Sequence, residues 1–370
     1  MVEALKKIDK KILIIVGAIL VLPLLIIIFL AIIQGCSNSK IMPEKYEEKM
    51  ISAAESYFKD KGGLPSIESE TKSVKLSTLV KNDYIKSTED LLGDDSCSGS
   101  VTVRRNGALY DQNEEGYLNY TVDLVCDKYE TKTLKREILK DLVTQGNGVY
   151  ELNGHYVYKG DEVNNYITFF DKNYIILNID ENGIAKLLKI EKENLDKVWD
   201  NKYNIENDSL SGINNYKESS IYKSLIDDYN SEKVISLDAK KHLVAKDVCI
   251  DSTSYTTGNI KNYNCSNKIE KQVISLIDID DYALASLDVN CTSLYSKSCI
   301  NYNYLKNIKL STWTMNSLLD NSYEVYYLSN GNAKKQVASE YRYYNIVVYI
   351  DTNEIIASGD GSESDPYVIK

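Results

Sequence analysis

Carboxylates are the reactive side chains that this sequence groups most tightly. Asp360, Glu363 and Asp365 fall within residues 359–365, and Asp278, Asp280 and Asp281 fall within four consecutive positions. Oxygen clusters hold calcium when they follow an Asp-x-Asp-x-Asp-Gly loop closed by a glutamate. Paired carboxylates also carry glycoside hydrolysis, as acid with base or with nucleophile. Neither cluster has the calcium spacing. Gly359 to Asp365 reads as a glycine-rich hairpin tip, and Asp278, Asp280 and Asp281 read as solvated loop residues beside a strand end. Nucleophilic catalysis needs a base beside the nucleophile. His155 and His242 are the two histidines, and neither has such a motif around it. No glycine-rich phosphate loop precedes a helix. The expectation is a protein without catalytic residues, metal or cofactor, and so not an enzyme.

Seven cysteines offer a second chemistry. Six fall into sequence-local pairs: Cys97 with Cys126, Cys249 with Cys265, and Cys291 with Cys299. In an exported chain these read as disulfides, although neighbour pairing is a preference and other connectivities exist. A zinc site has no C-x2-C pair to build on. Cys36 follows Gly35 and is a candidate for lipidation. Aromatics are the third lead. Tyr323, Tyr326, Tyr327, Tyr341, Tyr343 and Tyr344 gather near Trp313, and tyrosine offers a rigid face with a polar end. Trp313, Tyr326 and Tyr343 are the candidate ligand-binding residues. The competing reading is that a chain with 30 Tyr and 4 Phe uses tyrosine wherever another would use phenylalanine.

The elements that must position these groups begin with an uncharged run, Ile12 to Ile33. As a helix it would span roughly 33 Å, enough for a hydrocarbon core of about 30 Å. Lys6, Lys7, Lys10 and Lys11 precede it, so the run predicts a transmembrane helix over 12–33 with a cytoplasmic tail, 1–11, and everything beyond exported. The expected location is the cell membrane, single-pass, with the body outside. The net charge of −11 opposes binding to phosphate backbones, so nucleic acid is not an expected partner. Apolar content of 43% with 26% charged residues is ordinary globular material. The abundance of Lys, Asn, Ile and Tyr suggests an AT-rich, bacterial coding sequence.

After a linker, 34–44, the pattern predicts two domains. In 45–143, Pro43-Glu44 starts a helix whose apolar face carries Tyr46, Met50, Ala53, Ala54, Tyr57 and Phe58, and Gly62-Gly63 stops it. A short helix over 76–84 follows, then strands at 100–103 and 117–125 and a closing helix over 132–143. Thr144 to Gly148 is the turn-rich start of a second linker, 144–150. Beyond it, 151–370 reads as strands at 166–170, 174–179 and 184–190, the last two joined at Asn182-Gly183, a hairpin signal. A helix around 222–226 and strands at 273–279, 324–328, 344–350 and 366–369 complete the pattern. The expected class is α+β: a transmembrane helix, a small helix-plus-antiparallel-sheet domain, then a larger α+β domain.

Several segments of the second half carry a resemblance. They are Tyr158-Lys159-Gly160, Val163 to Phe169, Trp199 to Asn204, Gly212 to Tyr216, Ile274 to Ile277 with Asp281-Tyr282-Ala283, Asn303-Tyr304-Leu305, and Trp313-Thr314. With the ending Gly359 to Ser362 and Asp365-Pro366-Tyr367, they resemble an uncharacterised family of domains on exported proteins of AT-rich Gram-positive bacteria. The order of the pieces is similar to the C-type-lectin and formylglycine-generating-enzyme superfold, except that Tyr344 to Val347 stands where such domains usually carry Arg-Pro. The first domain looks like a pilin-type ectodomain without the prepilin cleavage pattern. The resemblance implies a compact lectin-like domain on a pilin-like stalk. It implies a membrane-anchored extracellular binding or adhesion protein with a glycan or protein ligand. The alternatives are an extracellular carboxylate-based hydrolase and a minor pilin-like structural component.

Overall fold

The computed structural model describes residues 40–106, 117–191, 196–253 and 265–369. The first described element is the helix Pro43–Lys61. Proline sits in its first turn, Glu44 faces the N-terminal dipole, and Lys59 and Lys61 face the C-terminal one. Tyr46, Met50, Ala53, Ala54 and Phe58 are buried along one side, as the spacing predicts. Gly62, at φ 72°, ends the helix with its N–H on the Phe58 carbonyl. Four antiparallel strands receive that face in chain order: β1 (Thr71–Lys75), β2 (Ser98–Asn106), β3 (Tyr117–Cys126) and β4 (Tyr129–Glu130). Val101 stands opposite Val122, and Val101, Val103, Val122 and Leu124 point inward on alternate positions. Cys97–Cys126 joins the start of β2 to the end of β3.

The larger unit is organised by a nine-stranded sheet. Its chain-order core is β5 (Gly148–Leu152), β6 (His155–Lys159), β7 (Tyr166–Phe169), β8 (Lys172–Ile179) and β9 (Ile184–Lys189). Val347–Asp351 pairs with β9, and Ile274–Ser275 pairs beyond it. On the other side β7 pairs with Tyr367–Ile369 in the sheet's one parallel contact, and β5 and β6 pair off β8. Asn182-Gly183 makes the β8–β9 turn, with Gly183 at φ 75°. Helix Ser220–Asn230 starts at Ser219, whose hydroxyl accepts from the Tyr222 N–H. A separate antiparallel meander, Thr312–Ser317, Glu324–Ser329 and Asn332–Val337, encloses Trp313 and Tyr326. Leu134 and Ile138, in the short helix after β4, belong to this larger core.

The expected fold class is corrected here. The described chain is a mixed α/β protein with more strand than helix, and none of its described helices is long and apolar enough to cross a membrane. The span expected at 12–33, the tail before it and Cys36 lie outside the described residues. The expected strand over 273–279 is also shorter. It ends at Ser275, and Asp278 instead caps a helix, Ile279–Leu284.

The two units meet through buried polar contacts. Arg104 on β2 pairs with Asp351 at 2.8 Å, and Asn119 on β3 donates to Glu354 at 2.6 Å. Asn106 donates to the Lys241 carbonyl at 2.9 Å. His242 Nδ1 lies 3.1 Å from the same Glu354 carboxylate.

Candidate functional site

A cavity of about 470 Å³ opens where the small unit meets the large sheet. Ser69 and Arg104 close it on one side, and its floor and walls come from β8, β9, the strand Lys246–Cys249 and the helix Ile279–Leu284. The β8–β9 hairpin fixes the first group. Asp180 accepts the backbone N–H of Asn182 at 3.0 Å and of Ile184 at 2.8 Å, while its other oxygen takes Lys246 Nζ at 2.7 Å. A register shift between Ile176 and Asn178 then re-aims the strand, so that Asn178 stands opposite Lys186. Both reach Asp281: Lys186 Nζ is 2.5 Å from one carboxylate oxygen and Asn178 Nδ2 is 3.0 Å from the other.

Asp281 is held from the helix side as well. Its carboxylate accepts the Asp278 N–H at 3.1 Å and the Asp278 side chain accepts from the Asp281 N–H in return, a capping box, while Asp278 also accepts the Asp280 N–H at 2.9 Å. The expectation of solvated loop residues is therefore corrected. Asp280 and Asp281 are 8% and 7% exposed, because a helix N-terminus and a buried lysine satisfy carboxylates as water would. Burial by itself pulls the Lys186 ammonium down. Asp281, supported by Tyr349 and Asp278, more than offsets that and holds the amine protonated above its usual range. Tyr349 lies beside the pair with its hydroxyl 2.6 Å from that of Ser275, and burial raises its pKa to about 12.

The cavity lining carries six carboxylates (Asp180, Glu181, Asp247, Asp278, Asp280, Asp281) and four permanent cations (Arg104, Lys186, Lys246, Lys268). His155 stands at the rim with its Nε2 2.9 Å from Glu181. Charges of both signs held on fixed partners can donate to and accept from the same polar ligand. No family model, curated protein or solved structure matches the chain.

The other expected site residues lie elsewhere. Trp313 and Tyr326 are fully buried. The Trp313 indole donates to the Lys197 carbonyl and the Tyr326 hydroxyl to the Thr253 carbonyl, both at 2.9 Å. Neither can face a ligand, because the meander needs their bulk in its core. Tyr343 is 44% exposed and does not line the cavity. The three local cysteine pairs form disulfides: Cys97–Cys126, Cys249–Cys265 and Cys291–Cys299. Asp94 beside the first pair and Asp251 beside the second lie at ligand-like distances, yet a sulfur bound in a disulfide is not a thiolate ligand. The segment 359–365 is a hairpin tip, with the Asp360 and Gly361 N–H groups on the Asp365 carbonyl.

Sequence reasoning passed over Asn178, Asp180, Lys186 and Lys246. Two of them, Asn178 and Lys186, had a signal. They interrupt the apolar runs of β8 and β9, and a polar residue there needs a buried partner.

Proposed function

We propose that the protein is an exported binding protein whose ligand, a glycan or a polar segment of protein, enters the cleft between the small unit and the large sheet. The observation that carries this reading is the cleft's lining of fixed charges of both signs. Sugar hydroxyls donate to carboxylates and accept from lysine and arginine, so such a lining suits a hydroxyl-rich ligand better than an apolar or a polyanionic one. Disulfides in each unit support an oxidising exterior. A glycan array probed with residues 40–370 is the test. Binding of a defined glycan that is lost in Asp280→Asn or Lys246→Met supports the reading. An array without signal, together with no capture of a cell-surface protein, contradicts it.

One observation favours a second reading, a carboxylate-based hydrolase: six carboxylates line one cavity. Glycoside hydrolysis uses two of them across the scissile bond. Turnover of a polysaccharide that disappears when a single lining carboxylate becomes its amide would replace the binding reading with this one.

A further inference from the structure

At the floor of the cleft, Lys186, Asn178 and Asp281 form a group held together by its own members. Asn178 and Lys186 are cross-strand partners on β8 and β9, so their side chains leave the same face of the sheet. One carboxylate bridges them, Asp281, at 2.5 Å from the amine and 3.0 Å from the amide nitrogen. All three residues are more than nine-tenths buried, with exposures of 8%, 6% and 7% for Lys186, Asn178 and Asp281. This gathers an amine nucleophile, a carboxamide electrophile and a proton carrier, with each side of the carboxylate on a different reactant. We propose that the folded protein joins Lys186 to Asn178 through an isopeptide bond, with Asp281 carrying the protons.

The chemistry balances within these three residues. Asp281 takes a proton from the Lys186 ammonium, and the freed Nζ attacks Cγ of Asn178. The Nζ–Cγ bond forms and the Cγ–Nδ2 bond breaks. The nitrogen that leaves is the one already hydrogen-bonded to Asp281, which returns its proton there. One ammonium and one amide become a secondary amide and one released ammonium ion. Nothing is oxidised or reduced, and Asp281 ends as the carboxylate it began. An amide is a poor electrophile in water. Here the strand register sets the two side chains on one face beside a shared carboxylate, an orientation that solution does not supply. The new N–H takes the place of the ammonium beside Asp281.

The experiment is mass spectrometry of the full chain, reduced, alkylated and denatured. The expected mass is lower than the sequence mass by one ammonia. Trypsin should leave 173–189 uncut after Lys186, lighter by the same ammonia, with no fragment ions between positions 178 and 186. Asp281→Asn should restore the sequence mass and cleavage after Lys186, and the wild-type measurement stands even if that variant fails to fold. Sequence mass with normal cleavage after Lys186 overturns the proposal and leaves an ordinary ion pair. So does loss of water with Lys186 joined to Asp281, or loss of ammonia with Lys186 still cleaved, which would be ring closure at an asparagine.

Discussion

Among the described residues before 131, one charged side chain is buried, Glu47, and it accepts hydroxyl protons from Tyr129 and Thr131 at 2.8 and 2.6 Å. The larger unit buries many more, including Asp180, Lys186, Asp200, Asp228, Asp281 and Glu354. The small unit is thus held by an amphipathic helix on an alternating sheet, with a disulfide across its edge. The large one has an apolar core threaded by paired charges, and its cleft is made from those charges. The contrast teaches where a site could be built. A unit whose interior holds a single buried charge offers stability and a docking face, whereas buried ion pairs leave polar groups aimed at a cavity.

The largest expected effect tests the small unit's reliance on its staple. Cys97 and Cys126 lie 29 residues apart. Loop entropy then gives the disulfide about 3–4 kcal/mol, against about 3 for the shorter Cys249–Cys265 loop. Cys97→Ser with Cys126→Ser should therefore lower the melting temperature more than the corresponding pair in the large unit. Calorimetry of both double variants, with alkylation to count free thiols in the wild type, would expose an inverted ranking.

Next comes the junction. Arg104 and Asp351 are mostly buried, and removing one partner of such a pair strands the other at a cost of about 3 kcal/mol. Arg104→Ala should split a single unfolding transition into two as the small unit undocks. A single transition at an unchanged temperature would mean that the units do not depend on this contact.

These two expectations bear on what the sequence could reveal. The helix Pro43–Lys61, the β8–β9 turn at Asn182-Gly183 and the disulfide pairs were readable, because each is governed by spacing or by a local turn. Asp278 to Asp281 were misread because a carboxylate that caps a helix and one that faces water look alike in sequence. Trp313 and Tyr326 were misread for a related reason. Tyrosine here fills cores with its hydroxyl satisfied by a carbonyl, as the excess of Tyr over Phe allowed. The cleft itself needs residues from positions 69 to 349 brought together by long-range pairing, which no local pattern reports.

A smaller effect distinguishes the two kinds of interior. Glu47→Gln keeps the shape but swaps an ionised acceptor for a neutral one, at a cost of about 1–2 kcal/mol. The matching Asp228→Asn in the large unit loses the Tyr344 hydroxyl's charged acceptor, at 2.7 Å, and weakens the ion pair with Lys233 as well. It should cost more. Equal losses in urea titrations would erase the contrast drawn above.

The smallest effect is with pH. Tyr46 in the small unit and Tyr349 in the large one each have a folded pKa raised to about 12, chiefly by burial. A raised folded value means stability that is whole below the unfolded tyrosine pKa of about 10 and is lost as pH rises toward the folded one. The contribution of these two tyrosines should be flat below pH 10 and fall between about 10 and 12. Tyr349→Phe should remove its share of that fall, and an unaltered alkaline profile would count against its burial.

The central claim is that the cleft between the units is where the ligand sits. Reversing two exposed charges on its wall, Asp247→Lys with Lys268→Glu, changes the cleft's field without touching either core. Titration of the bound glycan or protein into wild type and this double variant is the direct measurement. The account predicts at least a tenfold weaker affinity, about 1.4 kcal/mol or more, with an unchanged melting temperature. Equal affinity in the two proteins would contradict it and move the binding site elsewhere on the surface.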